Sequence, residues 1–557
     1  MTMKSTWISD AASIDVEELD EVLYETKAIR QFIQDPTMMY VAANKGMGKT
    51  LVLKAKRHHM ETTNPAIRLI PSDTPYLDLM GGRRELNDQQ KALFDSLNTS
   101  EKMWSFSLKT SILLHFRQND IAKEICLWLF PDDHIERLKR PPTPTECFRA
   151  LFNKKSVSEV HSFLDNYENT LDGQIESLHT PIAIFIDKVD QGVHGLTAKQ
   201  WTNVQAGLIE VSFALSETNN HIKSYCSIRQ EAFTEYTGHH KFNLIGQTLQ
   251  ISYDKQELHD LVENLIAVYE RKKDLREFVG FSELDKNGNG IPEFIFDYIY
   301  RHTLGRPRDF VTTCGSLSAE TRMDVGAFRR VVNTANSQIA PLVIAESKPF
   351  LSVLYDDELF IEFCSMLPVN VLSQTRIDQI RKDLAAIMPY GADPFGDLYT
   401  CGLLGALEEN AEGAVQRFKQ PASFQLKQAM PPSDYYLIHP SLQNRIVANT
   451  SNRYRTIPRL VVGEGYPWFE YYYPLLAIYQ KLWGYDKETN SELYQQVERI
   501  IEDKQNLVVS GEDNRVNSFE LETWQPLKES LELLGDDGLH QALEALLSSK
   551  SVFRKVD

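Results

Sequence analysis

Cysteine is scarce in this sequence, and its spacing limits what the thiols can do. The 557 residues include six cysteines, and none of them forms a Cys-x-x-Cys pair. They predict neither disulfides nor a zinc site, but reduced and mostly buried thiols of a cytoplasmic protein. The six are Cys126, Cys147, Cys226, Cys314, Cys364 and Cys401.

Long apolar runs and an excess of basic charge are also lacking. No run of about 18 apolar residues occurs, so we expect no spanning helix and no membrane partner. Residues 1–22 are acidic without an apolar core, which does not predict a signal peptide. With 59 Lys and Arg against 77 Asp and Glu, the formal net charge is −18. A broad basic surface is excluded, so contact with nucleic acid requires local patches.

A glycine-rich turn lies between an apolar run at 38–42 and a helix-forming stretch at 51–56. This context is typical of a phosphate-binding loop. Gly46 and Gly48 allow successive backbone N–H groups to face a phosphate, Lys49 can reach the β- and γ-phosphates, and the Thr50 hydroxyl can ligate Mg²⁺. The predicted nucleotide-binding residues are Ala43, Asn44, Lys45, Gly46, Met47, Gly48, Lys49, Thr50 and Leu51.

Such a loop needs a second acid, which holds Mg²⁺ from the end of a neighbouring buried strand. Asp187 follows the apolar run at 181–186 and is the predicted metal residue together with Thr50. The next residue is Lys188, where a Glu commonly activates the attacking water, so Asp190 is the candidate base. The alternative is that both acids only cap the following loop.

GTP binding is a competing interpretation. Residues 78–81 have the form D-x-x-G, and residues 187–190, Asp-Lys-Val-Asp, resemble the N/T-K-x-D sequence that reads guanine. The first position of the second sequence is Asp rather than Asn or Thr. No buried strand is expected before Asp78. In sequence, Asp78 follows Lys49 too closely to leave room for a switch loop and two strands. We therefore favour ATP.

Strands alternating with helices predict an α/β fold with a parallel sheet covered on both faces. The length suggests three or four domains. We expect a P-loop NTPase core with a helical insert, a helical lid, a winged-helix domain and a C-terminal helical domain. Their predicted bounds are 1–253 for the core (insert about 84–178), 254–345 for the lid, 346–450 for the winged-helix domain and 451–557 for the last domain.

The order of these motifs resembles the AAA+ and STAND classes of P-loop ATPases, particularly bacterial origin-recognition-type members. The strand at 224–230 is similar to the one that ends at sensor 1, which implies that Ser227 or Arg229 senses the γ-phosphate. Arg229 could equally be an intersubunit finger or a structural ion pair. Residues 305–309 resemble sensor 2, with Arg308 as its cation, and the alternative is a surface arginine at a helix start.

The same resemblance covers about residues 25–445, and 351–446 is similar to the winged-helix domain that follows the lid. It implies that ATP lies between core and lid, and at a subunit interface. Two departures, Lys188 and the absence of a sensor 1 Asn, leave the hydrolysis rate open.

A short basic stretch is the one signal for nucleic acid. No acidic residue occurs from Tyr435 to Gly463, where Tyr454 accompanies several arginines. Such a run suits backbone contact and stacking, or binding to an acidic surface of the chain or of a partner. The candidates are Arg445, Arg453, Arg455 and Arg459. Residues 285–291 copy half of an EF-hand loop, but Phe296 occupies the position of its bidentate Glu.

These observations predict an ATPase that acts as a molecular switch with ATP and Mg²⁺ as ligands. We expect a homo-oligomer that regulates a protein effector, in bacterial antiphage defence by analogy alone. One alternative is a DNA-binding ATPase of the replication-initiator or mobile-element type. Another is a scaffold that binds ATP without turnover.

Overall fold

The computed structural model describes residues 7–442, apart from 72–76, 79–83, 117–119, 131–139, 153–155, 190–192, 195, 239, 285–293, 355, 368–370, 411–412, 419–429 and 434. The described residues form two compact units, one from Ile8 to Glu257 and one comprising Trp7 and the residues from Leu258 onwards. The predicted C-terminal domain at 451–557 and the EF-hand-like turn lie outside the described residues. No described helix has the length and apolar character needed to cross a membrane.

The first unit alternates strands and helices. Its strands are β1 (Tyr40–Ala43), β2 (Arg68–Ile70), β3 (Leu77–Asp78), β4 (Arg84–Glu85), β5 (Ile182–Asp187), β6 (Val193–His194), β7 (Ile222–Arg229) and β8 (Thr248–Gln250). Its helices are α1 (Leu19–Val22), α2 (Lys27–Gln34), α3 (Lys49–Thr63), α4 (Asp88–Ala92), α5 (Leu97–Phe116), α6 (Asp120–Leu129), α7 (Pro144–Phe152), α8 (Val157–Glu176), α9 (Ala198–Thr218), α10 (Gln230–Glu235) and α11 (Lys241–Gly246). Short 3₁₀ turns cover Ala11–Ser13 and Val16–Glu18.

Most strands of this unit join one parallel sheet. The order is β2-β5-β7-β1-β8, with β3 also paired to β5. Every residue of β1 and β5 is buried, as continuous apolar runs require in a parallel sheet. The predicted α/β fold with a parallel sheet is confirmed. A separate two-stranded pair joins β4, at the start of the predicted helical insert, to β6, which lies outside that insert.

The helices between β4 and β5 pack against α9. Trp104 on α5 is buried, and its indole N–H donates to the Val204 carbonyl of α9 at 2.9 Å. The two helices approach closely at Gly207, where an added Cβ would lie 2.8 Å from the Ser100 Cβ. The insert therefore fixes the position of α9, which connects the strand ending in Asp187 to β7.

Two buried lysines fasten the N-terminal segment to α3. The ammonium of Lys54 donates to three backbone carbonyls within residues 11–14, at 2.5–3.1 Å. Lys56 donates to the carbonyls of Phe32 and Asp35 at 2.5 and 2.7 Å. Burial lowers the pKa of Lys56 to about 7, although the Asp35 carboxylate opposes this shift.

The second unit begins with helices and ends with a small sheet. The helices are α12 (Lys255–Tyr269), α13 (Leu275–Val279), α14 (Ile295–His302), α15 (Pro307–Ser318), α16 (Val325–Asn336), α17 (Ile339–Ser347), α18 (Asp357–Ser365), α19 (Gln374–Leu384) and α20 (Pro394–Thr400). The strands are β9 (Val371–Ser373), β10 (Leu404–Asn410), β11 (Gly413–Phe418) and β12 (Tyr435–Ile438), and 3₁₀ turns cover Lys348–Phe350 and Pro440–Leu442. These strands pair antiparallel in the order β11-β10-β12-β9.

A buried histidine joins the end of β12 to the turn before α15. The Nε2 of His439 lies 2.9 Å from the Thr303 carbonyl, which can only accept, so this nitrogen carries the hydrogen. Its Nδ1 then accepts from Ser441. Burial lowers the pKa of His439 to about 4. This histidine therefore has a structural role.

Stability should rise with pH through the titration of Lys56. Its pKa is about 7 in the folded protein against 10.5 ordinarily. Between these pH values the Lys56 amine is protonated in the unfolded chain but mostly neutral in the folded protein. From pH 7 to pH 9 the wild type should gain about 2 kcal/mol relative to Lys56→Met, in which this titration is absent. Urea unfolding of both proteins across this range measures the difference, and a pH-independent difference contradicts the assignment.

Candidate functional site

The loop between β1 and α3 has the backbone geometry of an anion cradle. Gly46 and Gly48 have φ angles of 90° and 95°, a region that favours glycine. Helix α3 begins at Lys49, and no side chain caps its N-terminus. The N-cap residue is Gly48, which has no side chain to cap the first N–H groups, and these groups carry the positive end of the helix dipole. This is an arrangement that binds phosphate.

The structure brings the predicted nucleotide residues together. Ala43 ends β1, Asn44 to Gly48 form the loop, and Lys49, Thr50 and Leu51 open α3. The Lys49 ammonium donates to the carbonyls of Ala43 and Asn44 at 2.8 and 3.1 Å. These bonds hold its charge against the first residues of the loop.

Asp187 lies at the centre of a cluster of oxygen atoms. Its side chain is buried, and its Oδ2 accepts from the Thr50 hydroxyl at 2.5 Å while its Oδ1 accepts from Ser227. Strand β7 lies between β1 and β5, which places Ser227 beside both the loop strand and the acid. Carboxylate and hydroxyl oxygens are ligands that suit Mg²⁺. Thr50 and Asp187, the predicted metal residues, are therefore in direct contact.

Two residues next to Asp187 have notable backbone positions. Lys188 has a φ angle of 57°, which is uncommon for a residue with a side chain and costs about 1 kcal/mol. Asp78, in the D-x-x-G sequence, lies in β3 and pairs in register with Asp187. The candidate base Asp190 lies outside the described residues.

Arg229 forms a buried ion pair with a residue that the sequence analysis missed. Its Nε and Nη2 donate to the two carboxylate oxygens of Glu231 at 3.0 and 2.6 Å. Burial raises the pKa of Glu231, but the Arg229 charge and hydrogen bonds and the nearby Lys49 outweigh it and hold the pKa below its usual range. The only sequence signal for Glu231 was an acid two residues after the arginine that ends β7.

The sequence at 305–308, which has the form Gly-x-x-Arg, contains two arginines with different environments. Arg306 is buried and pairs with Asp309 at 2.8 Å and Glu346 at 3.3 Å. Arg308, the predicted sensor, is 36% exposed and approaches Glu346 at 3.7 Å. Arg306 therefore holds the start of α15 in place, while Arg308 keeps an accessible guanidinium. The sensor role of Arg308 stays a prediction.

Two other regions contain candidate residues. The basic stretch with Arg445, Arg453, Arg455 and Arg459 lies outside the described residues. His259, Asp260 and Glu263 on α12 have ligand atoms within 4.8 Å of one another. They occupy one partly exposed helix face, which such residues commonly do without a metal.

Comparison of the chain with models of known protein families finds no match, and comparison with curated protein sequences finds none. The argument for function therefore depends on the geometry of the site.

The two arginines of the Gly-x-x-Arg motif should differ in their effect on stability. Arg306→Ala leaves Asp309 buried without this cation, weakens the pairing of Glu346, and should cost about 3–5 kcal/mol. Arg308→Ala removes a single partly exposed pair and should cost less than about 1 kcal/mol. Thermal unfolding of both variants measures the contrast. Equal losses would show that the buried ion-pair network does not hold α15.

Proposed function

We propose that the first unit binds ATP with Mg²⁺ and hydrolyses it. The observation that carries this proposal is the convergence of the glycine loop, Lys49, Thr50 and Asp187 at one edge of the sheet. In open α/β sheets ligands bind at the carboxyl ends of the strands, and β1 and β5 both end here. The resulting site has cationic and N–H groups for phosphate and oxygen ligands for a hard cation.

Each group in the site has a distinct task. The N–H groups of the loop and of the first turn of α3 would hold the phosphate oxygens, and Lys49 would balance their charge. Thr50 and Asp187 would hold Mg²⁺, which would neutralise charge that develops during phosphoryl transfer. Ser227 holds the Asp187 carboxylate in place from the neighbouring strand.

The position of Asp187 supports ATP over GTP. To read guanine, the first residue of the Asp-Lys-Val-Asp sequence would have to face the base. Instead the Asp187 side chain is buried and contacts Thr50 and Ser227. These hydrogen bonds support a role for Asp187 at the metal end of the nucleotide.

The strand order supports the AAA+/STAND resemblance by fold-level analogy. In AAA+ ATPases one strand separates the loop-bearing strand from the strand that ends in the metal acid, and β7 takes this place here. We infer a molecular switch in which nucleotide state controls the arrangement of an oligomer. Its output would pass to a protein effector, and bacterial antiphage defence is the setting that the analogy favours.

The second candidate function, DNA binding, depends on the small sheet of the second unit. The element order α18-β9-α19-α20-β10-β11 supports a winged-helix domain, in which α20 would be the recognition helix. However, α20 contains no Lys or Arg, and its acid Asp397 is buried and accepts backbone N–H groups of Val353 and Leu354. In sequence, β10 contains two acids, Glu408 and Glu409, against one arginine, Arg417, in β11. These features favour a protein partner over DNA.

ATP turnover by the purified protein tests the proposed function. Lys49→Ala and Asp187→Ala should each lower the rate by more than about 100-fold, since Lys49 would stabilise the charge on the transferred phosphoryl group and Asp187 would hold the Mg²⁺ that does the same. Lys199→Ala, which changes an exposed lysine of α9, serves as the matched control and should keep the wild-type rate.

Three other outcomes would redirect the proposal. A wild type that binds no ATP contradicts it. Tight binding of ATP without turnover identifies the nucleotide-locked scaffold. Turnover that rises with double-stranded DNA, with an affinity that falls steeply as salt increases, supports the DNA-binding alternative.

A further inference from the structure

The ion pair between Arg229 and Glu231 lies beside the phosphate-binding loop. Arg229 ends β7 and is in register with Ala43, the last residue of β1 before the loop. Its side chain is 5% exposed and that of Glu231 is 16% exposed. Two of the guanidinium nitrogens bind the two carboxylate oxygens. The pair is thus well formed, shielded from water and adjacent to the cradle.

The positive charge of Lys49 also acts on the Glu231 carboxylate. Lys49 is among the groups that lower the pKa of this carboxyl. The carboxylate is therefore an anion that belongs to the protein and lies near two cations, Arg229 and Lys49. An anion in such a place stabilises the cations when no phosphate is present.

The same contacts argue against Glu231 as the general base. A base must accept a hydrogen bond from water, and both carboxylate oxygens of Glu231 already accept one from Arg229, which leaves each with only one further lone pair. A depressed pKa also weakens its ability to take a proton. Its geometry suits a counter-ion better than a catalyst.

We propose that Glu231 is a positioning residue that holds Arg229 until the γ-phosphate of ATP replaces it as the anion. This inference rests on the proposed function. A γ-phosphate offers several acceptor oxygens with more charge than one carboxylate, so it can compete for the guanidinium. ADP lacks this group and leaves the ion pair intact. Glu231 lies in the first turn of α10. Its release from Arg229 by ATP, but not by ADP, is the event that distinguishes the two nucleotides.

The competition should lower the affinity for ATP selectively. In Glu231→Gln the side chain keeps its size but loses its charge, so a non-hydrolysable ATP analogue should bind about tenfold more tightly. The affinity for ADP should stay within about twofold of the wild-type value. Glu235→Gln, at an exposed position of the same helix, is the matched control and should change neither affinity.

A second variant separates competition from general effects on the fold. In Arg229→Gln the cation is absent, so adding Glu231→Gln should no longer raise the affinity for the ATP analogue. Such non-additivity is the signature of two residues that act as a unit. Thermal unfolding of each variant shows that the proteins compared are folded.

Calorimetric titration with the imido analogue of ATP and with ADP, both in Mg²⁺, decides among the outcomes. Selective gain for the analogue, lost in the Arg229→Gln background, supports the inference. Unchanged affinities in Glu231→Gln overturn the inference. If turnover is also abolished in that variant, Glu231 is the base instead. In both cases analogue binding by the wild type keeps the proposed function. A wild type that binds neither nucleotide overturns both.

Discussion

A buried carboxylate must be hydrogen bonded, and Asp187 meets this requirement through hydroxyl groups from two different elements. Thr50 comes from the first turn of α3 and Ser227 from β7, so one side chain joins the loop helix, the acid strand and the strand between them. Neither hydroxyl carries a charge that would neutralise the acid. The cluster is therefore satisfied by hydrogen bonds from uncharged groups, and its oxygen atoms are of the kind that suits the proposed Mg²⁺. The constraint that stabilises this part of the sheet also creates its chemistry.

The sequence was sufficient to predict the elements whose patterns are long or chemically specific. Strand β5 follows from a continuous apolar run that ends in Asp187, and the loop follows from two glycines before Lys49. Strands β3, β4 and β6 have two residues each, which is too short for any periodicity. The in-register position of Asp78 next to Asp187 could not be predicted, because register depends on pairing between segments far apart in sequence.

Within the site, the sequence identified residue types but not their partners. Arg229 had three alternatives, and the structure shows an ion pair at the edge of the loop. Its partner Glu231 was missed because an isolated acid near an arginine has no distinctive spacing. In the Gly-x-x-Arg motif, the pattern selected Arg308, and only burial revealed that Arg306 carries the structural network. Burial and pairing are tertiary properties, so they were beyond the reach of motif analysis.

The two lysines that bind the N-terminal segment have a mechanical consequence. Five hydrogen bonds from Lys54 and Lys56 attach α3 to the chain that precedes β1, and both side chains are buried. Sliding or rotating α3 would break several of them at once. Helix α3 is thus held rigidly against the segment that precedes β1. A displacement driven by the proposed nucleotide would therefore involve elements that these bonds do not hold, such as the end of β7 and α10, rather than α3.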